Sequence, residues 1–216
     1  MPEPKVKVTF VNGKPSLQYE IIGESASRAL IQEMMVLYNN RAAHWFEERE
    51  VPGIFRIQDG PEARAIRFLG RTPPGLPREF ARLKSMKKAE VSTHPGRHHG
   101  LGIDAYIQMT SPIRRYNDLV MQRQTTAVCR GEKPPYTLDE LLEITAHVER
   151  CSFEATLINR ESDRYWILYA LSEHVGRSLE AVVLDFRDQE RRRATVMLVE
   201  FGYRAVARLR HPAELG

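Results

Sequence analysis

The chain has 216 residues, of which 42% are hydrophobic, and its 32 lysines and arginines outnumber its 28 acidic residues, giving a formal net charge of +4. A chain of this length and hydrophobicity can bury one sizeable core and a smaller appended unit, so its composition argues against intrinsic disorder. The small positive charge permits a polyanionic partner without requiring one.

The sequence contains neither a recognisable targeting signal nor a pair of cysteines at a functional spacing. No run approaches the roughly 18 apolar residues of a membrane span, and the first residues lack the charged-then-apolar pattern of a signal peptide. Cys129 and Cys151 lie in segments predicted as helix interiors, at no spacing typical of a metal or redox pair. We therefore expect a soluble, cytoplasmic protein with two buried thiols and no membrane partner.

The first two predicted elements are a β-hairpin and a long helix. Residues 5–22 contain two β-prone runs separated by Asn12 and Gly13, a dipeptide that readily adopts positive φ in a tight turn. From Ser25 to about Glu48, apolar residues recur at three- and four-residue steps, namely Leu30, Met34, Leu37, Ala42 and Trp45. This spacing predicts an amphipathic helix, with polar residues such as Asn39 between the apolar ones.

The next predicted region is less regular. Residues 53–82 contain a short strand, IFRIQ, followed by clustered Pro and Gly that predict irregular connections. Residues 92–111 form a Gly- and His-rich loop that leads through a short apolar run into a helix. Ser111 is a good N-cap and Pro112 suits the first helical position, so this helix is expected to begin there.

A long helix and three strands are predicted in the last third. Thr137 and Glu140 match a capping box, and the apolar periodicity continues toward Leu171. After Gly176 the runs SLEAVVLDF, RATVMLVEF and YRAVARLR predict three strands. These strands would begin a small barrel or sheet.

The segment most informative about chemistry is Thr110–Asp118. It places Arg114 and Arg115 in the predicted first turn of a helix, where the helix dipole disfavours a cation by roughly 0.3 to 1 kcal/mol. A bound anion would reverse that effect, because helix N-termini and the planar arginine fork both suit phosphate. Alternatively, the two arginines pair with Asp118 or with other carboxylates, and the residues alone leave both interpretations open.

Several segments together resemble the ribonuclease II/R family. TSPIRRYNDLV, preceded by STHPGRHHGLGIDAY, resembles the family signature in which a PxxHxGLG loop leads to a Ser-Pro-Ile-Arg helix. LIQEMMVLYNN, IFRIQ and INRESDRYW resemble further family segments, with Phe55 in the place of a family tyrosine. The resemblance covers roughly residues 25–175.

The resemblance implies a fold and an activity. The fold would be α+β: residues 1–176 would form the C-terminal part of the catalytic domain, with helices packed on a mixed sheet. Residues 177–216 would form a partial OB-like RNA-binding β unit. The activity would be hydrolysis of single-stranded RNA from its 3′ end to nucleoside monophosphates.

The resemblance also implies roles for individual residues. Arg114 matches the arginine that contacts the scissile phosphate and stabilises the transition state. Glu33 matches an acidic residue near the ribose, and His98 matches the loop histidine, for which we favour a structural hydrogen bond over substrate contact. Asp118 would orient the Arg114 guanidinium or take part in chemistry. The remaining expected substrate-binding residues are Ser111, Arg115 and Tyr116.

The family uses Mg²⁺ held by closely spaced aspartates, and this chain shows no such cluster. Its grouped acids are predicted on solvated faces or turns, and a loop with three histidines is weak support for a metal site. We therefore assign no metal ligand. The chain would be either part of an exoribonuclease whose acidic half lies elsewhere, for example on a separate chain, or a noncatalytic RNA-binding remnant. A basic α+β domain unrelated to RNA is a third, less favoured interpretation.

Overall fold

The structure, a computed structural model, describes residues 3–23, 25–188, 190 and 192–211. The chain forms two compact units. The first unit consists of residues 1–23, 61–86 and 157–216, and the second of residues 24–60 and 87–156. The predicted α+β class is confirmed.

The chain opens with the predicted hairpin, which belongs to the first unit. Strands β1 (Glu3–Val11) and β2 (Lys14–Ile22) pair antiparallel. Asn12 and Gly13 between them have φ of 53° and 76°. These two positive values are those of a tight hairpin turn, which is why Asn-Gly suits this position.

Helix α1 (Ala26–Glu48) begins where predicted, and the Ser25 hydroxyl accepts a hydrogen bond from the Arg28 N–H. Its expected apolar stripe is wrong in the first half of the helix, where Leu30, Met34 and Leu37 are all more than half exposed. The second half instead buries Asn39, Ala43 and Phe46. A polar residue is therefore buried where an apolar pattern predicted a solvated one.

The core of the second unit forms around the end of α1. Two short antiparallel strands, β3 (Phe55–Ile57) and β4 (Glu90–Ser92), pack there with helix α4 (Tyr116–Cys129). The buried apolar side chains are Ala43, Phe46, Val51, Ile54, Phe55, Ala105, Ile107, Met109, Val120, Met121 and Leu141. Gly53 fits because a Cβ there would lie 2.8 Å from Cδ1 of Phe46. This core carries the loop on which the candidate site lies.

Two helices occupy a stretch that we predicted to be irregular. They are α2 (Ala63–Arg71) and α3 (Leu76–Ser85), and the cluster Pro73-Pro74-Gly75 lies between them. The prediction was wrong because it extended the breaking effect of that Pro-Gly cluster to the helix-forming residues on either side. Pro77 is in the first turn of α3, where proline is tolerated.

Helix α5 (Leu138–Ser172) is the predicted long helix. Its capping box is present: the Thr137 N–H donates to the Glu140 carboxylate at 2.8 Å, and the Glu140 N–H donates to the Thr137 hydroxyl at 3.4 Å. The expectation of two buried thiols is wrong, since Cys129 and Cys151 are both exposed. Cys151 lies on a stretch of α5 whose side chains are exposed on every face.

The three predicted terminal strands form an antiparallel sheet in the order β5 (Ala181–Phe186), β6 (Arg193–Leu198) and β7 (Tyr203–Arg208). Helix α3 packs against β5, where Lys84 Nζ lies 2.8 Å from Asp185 Oδ2. Leu184 and Val196 are buried on this sheet. None of the helices in the described ranges is long and apolar enough to cross a bilayer.

Candidate functional site

The two adjacent arginines precede helix α4 instead of opening it. The helix begins at Tyr116, and Arg115 is its N-cap, with φ of −126°. The Ser111 carbonyl accepts hydrogen bonds from the N–H groups of Arg114, at 3.2 Å, and Arg115, at 3.0 Å. We call residues 111–115 the Arg114 turn. The predicted start at Ser111 is therefore wrong, and so is the argument that both arginines oppose the dipole of the first helical turn.

Asp118 explains why the helix starts late. Its Oδ2 accepts from the Ser111 N–H at 2.9 Å, and also from Arg115, at 2.9 Å from Nε and 2.6 Å from Nη2. Ser111 therefore does not cap the helix with its side chain, because its backbone N–H is held by a carboxylate seven residues further along the chain. Asp118 itself is in the first helical turn, where the dipole favours a negative charge.

The buried Asp118 carboxylate orients Arg115 and not Arg114. Asp118 is 1% exposed, and the Arg115 side chain also donates to the Thr110 hydroxyl at 3.3 Å. The expectation that Asp118 holds the Arg114 guanidinium is wrong for this reason. Of the two arginines, Arg115 is therefore the one that pairs with the Asp118 carboxylate.

Arg114 is exposed, and its guanidinium has no hydrogen-bond or ion-pair partner within the described ranges. Its neighbour Ile113 is also fully exposed. The tip of the turn therefore offers an unpaired cation to solvent while its base is fixed by Asp118. Such a rigidly supported arginine fork suits the oxygens of a phosphate group.

Asn39 supports the segment that leads into the Arg114 turn, and it was not identified as a site residue from the sequence. Its amide nitrogen donates to the Tyr106 hydroxyl at 3.1 Å and to the Thr110 hydroxyl at 3.4 Å. Its amide oxygen accepts from the Met109 N–H at 3.1 Å. Asn39 is 1% exposed, so each of these bonds replaces water that the group has lost. The sequence offered one signal for this role, since Asn39 is a polar residue directly after the apolar run of α1.

A second missed residue is Arg123, which is on α4 two turns after Tyr116. Its Nη1 donates to the Tyr136 hydroxyl at 2.8 Å, and this bond, with a smaller effect of Tyr116, raises the pKa of Arg123. Tyr116 is about half exposed. Its ring is therefore open to solvent on the helix that follows the Arg114 turn.

His98 holds the glycine-rich loop through its backbone. Its N–H donates to the Ile103 carbonyl at 2.9 Å, and its carbonyl accepts from the Gly102 N–H at 3.0 Å. The ring packs edge-to-face on Tyr106, and Nδ1 is buried with no partner among the residues that the structure describes. Burial lowers the pKa of His98, and the charge of Arg56 lowers it further.

Glu33 is exposed on the first half of α1. No described hydrogen bond or ion pair joins it to the Arg114 turn. The structure thus brings together Ser111, Arg115 and Asp118 with Thr110, and connects His98 to them through Tyr106 and Asn39. Glu33 is not part of that network.

The residues around the Arg114 turn do not fit a Mg²⁺ site. Mg²⁺ requires free carboxylate oxygens in near-octahedral geometry, whereas Oδ2 of Asp118 is buried and already accepts three hydrogen bonds. In the described part of the chain, no three His, Cys, Asp or Glu side chains converge in a way that could hold a metal ion.

Comparison with protein families gives one matching model, the RNB domain, over residues 1–73 and 76–131, more than half of the chain. An uncharacterized ribonuclease of Synechocystis sp. is 36% identical over 216 residues, 100% of this chain and 32% of that protein. The chloroplastic/mitochondrial ribonuclease II of Arabidopsis thaliana is 33% identical over 190 residues, 87% of this chain and 23% of that protein. The chain thus spans just under a third of the first relative's length and just under a quarter of the second's.

Solved structures with the same fold are also found. An exoribonuclease of Candida glabrata matches with a TM-score of 0.75 at 21% identity, over 94% of this chain and 27% of that one. Ribonuclease R of Mycoplasma genitalium in complex with ribose-methylated single-stranded RNA has a TM-score of 0.68 at 16% identity, over 95% and 37%. A yeast pseudonuclease has a TM-score of 0.61 at 19% identity, over 83% and 26%.

Proposed function

Because this chain belongs to the RNB-domain family, we propose that it supplies the phosphate-binding part of a 3′-to-5′ exoribonuclease that hydrolyses single-stranded RNA to nucleoside monophosphates. The observation that carries the proposal is the Arg114 turn. The Arg114 guanidinium is exposed and unpaired among the residues that the structure describes, and it is held on a turn whose base is fixed by a buried carboxylate. Fixed donors of this kind stabilise charge as it develops on a transition state, because they need no reorganisation when the reaction occurs.

The geometry supports different roles for the two arginines. Arg114 would contact the scissile phosphate, since its guanidinium is free to form two parallel hydrogen bonds. Arg115 would act by holding the turn in position, because its side chain is already hydrogen-bonded to Asp118 and Thr110. Ser111 and Tyr116 would lie beside the bound strand. Glu33 would accept a hydrogen bond from a ribose 2′-OH, a group that distinguishes RNA from DNA.

The residues that the structure describes group no three side chains that could hold a metal ion. We propose Mg²⁺, carried by aspartates elsewhere in a longer protein or on a separate chain. When bound, such an ion would activate the attacking water. The residues of this chain would meanwhile bind and orient the RNA backbone. We likewise propose that residues 1–176 form part of the catalytic domain and that residues 177–216 form a partial OB-like RNA-binding unit.

A noncatalytic RNA-binding role is the second candidate. It is supported by the hydrogen bonds of Asp118. Because this carboxylate already accepts from Arg115 and from the Ser111 N–H, it is unsuited to chemistry on a substrate. The fold itself is compatible with this role, because the matched yeast protein is described as a pseudonuclease. Arg114 would then grip phosphate without any bond being broken.

The test uses single-stranded RNA labelled at its 3′ or its 5′ end, incubated with the purified chain and Mg²⁺, alongside a binding assay on the same RNA. Arg114→Ala is compared with Arg130→Ala, which removes an exposed arginine from the other end of α4. Loss from the 3′ end that only Arg114→Ala abolishes would support the nuclease. Binding without cleavage that only Arg114→Ala weakens would favour the second candidate. Equal behaviour of both variants and the unmodified chain would overturn the role of Arg114.

A further inference from the structure

A cavity of about 340 Å³ lies between α2, α3 and β5, within the first unit. We call it the α2–α3 pocket. Its walls are largely apolar and include two phenylalanine rings; they are formed by Ala65 and Phe68 from α2, Phe80 and Ala81 from α3, and Leu184 from β5. Its volume is within the range of small-molecule sites in proteins, which are also mostly apolar.

The pocket exists because α2 packs loosely. None of the residues of α2 is buried, and both Ile66 and Phe68 are more than half exposed. The connection to α3 is nonetheless ordered, since Arg78 Nε donates to the carbonyl of the buried Thr72 at 2.9 Å. An ordered surface that leaves a large aromatic ring exposed beside an apolar cavity is typical of a binding site.

A second cavity, of about 650 Å³, adjoins the first, and Phe80, Lys84 and Asp185 line both. It is lined by Arg187 and Arg204, and the Arg204 guanidinium lies 5.8 Å from the centre of the Phe80 ring. Phe80 is thus shared between an apolar cavity and a cationic one.

The charge of this region favours an anionic ligand. Residues 61–86 contain six lysines and arginines against two glutamates, the same excess of four that the whole chain has. The two cavity linings together hold four cations, Arg64, Lys84, Arg187 and Arg204, and two carboxylates, Glu62 and Asp185. Asp185 is already paired with Lys84, so the remaining cations outnumber the remaining carboxylate.

We propose that the α2–α3 pocket takes a nucleobase of single-stranded RNA, and that the phosphates next to that base lie against Arg187 and Arg204. The choice of RNA rests on the function proposed above, while the pocket itself is on the other unit from Arg114. Aromatic rings beside cations are the combination by which single strands are bound without sequence preference, since every base has a face that stacks. An uncharged apolar peptide would fill the cavity but leave the cations unused.

The first experiment compares Phe68→Ala with Ile66→Ala, which removes a similarly exposed apolar side chain of α2 that does not line the pocket. Phe68→Ala should weaken binding of a single-stranded RNA on the order of tenfold, because it removes one stacking surface. Ile66→Ala should leave affinity unchanged. An oligomer of the same length made of abasic ribose phosphates should bind equally well to both variants and to the unmodified chain.

The second experiment addresses the phosphates through their salt dependence. Arg204→Ala should reduce the slope of log affinity against log salt by about 0.7, the value for one phosphate contact on a single strand. Arg208→Ala is the control, because this exposed arginine is four residues further along β7 and lines neither cavity. Photo-cross-linking with RNA that contains 4-thiouridine should attach the base to peptides carrying Phe68 or Phe80.

The outcomes separate this inference from the function on which it rests. If the unmodified chain binds RNA through Arg114, but Phe68→Ala behaves like Ile66→Ala and no cross-link maps to either phenylalanine, the nucleobase pocket is wrong and the proposed function stands. If the unmodified chain binds no RNA, both proposals fail. Circular dichroism of each variant excludes unfolding as the cause.

Discussion

The Arg114 turn and the α2–α3 pocket both present arginine to solvent, but they are built differently. Beneath Arg114 lies a buried polar network in which Asp118, Thr110 and Asn39 fix the backbone. The α2–α3 pocket has the exposed ring of Phe68 and the partly buried ring of Phe80 in its walls, and α2 buries none of its residues. The first construction holds one group in a defined position, whereas the second offers an adaptable surface.

The difference bears on function. A group that acts on a reacting phosphate must be held close to its productive geometry, and a buried hydrogen-bonded support achieves this. A surface that holds successive bases of varying sequence needs stacking area and charge more than fixed geometry. The comparison therefore predicts that substitutions beneath Arg114 cost stability, whereas substitutions at the exposed surfaces of both regions cost only binding.

Asp118→Ala should have the largest effect. It leaves the partly buried Arg115 guanidinium without its carboxylate and removes the acceptor of the Ser111 N–H. Breaking a buried pair in this way lowers the free energy of unfolding by about 3 to 5 kcal/mol. Urea denaturation measures the change. Asp104→Ala is the control and should cost much less, because this largely exposed carboxylate pairs with Asn40 and His44 at the surface. A stable Asp118→Ala variant would show that the pair is dispensable.

Asn39→Ala should have the next largest effect. The substitution leaves the Met109 N–H without its acceptor in a buried position and removes the donor to Tyr106 and Thr110. An unsatisfied buried group costs about 1 to 3 kcal/mol, so the unfolding midpoint in urea should fall. Asn40→Ala is the matched control, because Asn40 is less buried and its side chain donates, within the described ranges, to Asp104 and the Ala105 carbonyl. Equal losses in both variants would argue against a special role for Asn39.

Arg114→Ala should weaken RNA binding on the order of tenfold, the value of a hydrogen bond to a charged group, while leaving the free energy of unfolding unchanged. The neighbouring substitution Arg115→Ala should lower both quantities, because Arg115 is held by Asp118 and Thr110. Filter binding and urea denaturation on the same samples separate the two effects. If Arg114→Ala destabilises as much as Arg115→Ala, the two arginines share one structural role.

Much of the fold could be predicted because its elements have strong local signals. Asn12 with Gly13 determines the opening turn, and the Thr137 capping box determines the start of α5. The start of α4 could not be predicted in the same way. Ser111 and Pro112 are good residues for a helix start, but the Asp118 carboxylate, seven residues after Ser111, holds the backbone in a turn instead. A local rule was overridden by a side chain whose direction only the folded chain reveals.

The candidate site was predicted in its residue types and not in its contacts. Arg114 stands out by its motif, and the structure leaves it exposed. Which of two adjacent arginines would pair with Asp118 could not be decided, because spacings of three and four residues are equally suitable on a helix. Asn39 was missed because periodicity treats a polar residue on a helix as solvated, and only the packing of Tyr106 and Met109 against α1 makes it buried.

The smallest expected effect concerns His98, at the edge of the network beneath Arg114. Burial lowers the pKa of His98 below its ordinary value, so the unfolded chain binds a proton at a pH where the folded chain does not. The stabilising contribution is complete above the unfolded pKa of about 6.5 and is lost as the pH falls below it. The free energy of unfolding should therefore decrease between pH 7.5 and 5.5, and His98→Gln should flatten that decrease. Asp104 and Glu140 also have lowered pKa values, but these carboxylates affect stability at more acidic pH. The change between pH 7.5 and 5.5 is therefore expected from histidine. An unchanged pH dependence in His98→Gln would mean that the ring accepts a proton without disturbing its contact with Tyr106.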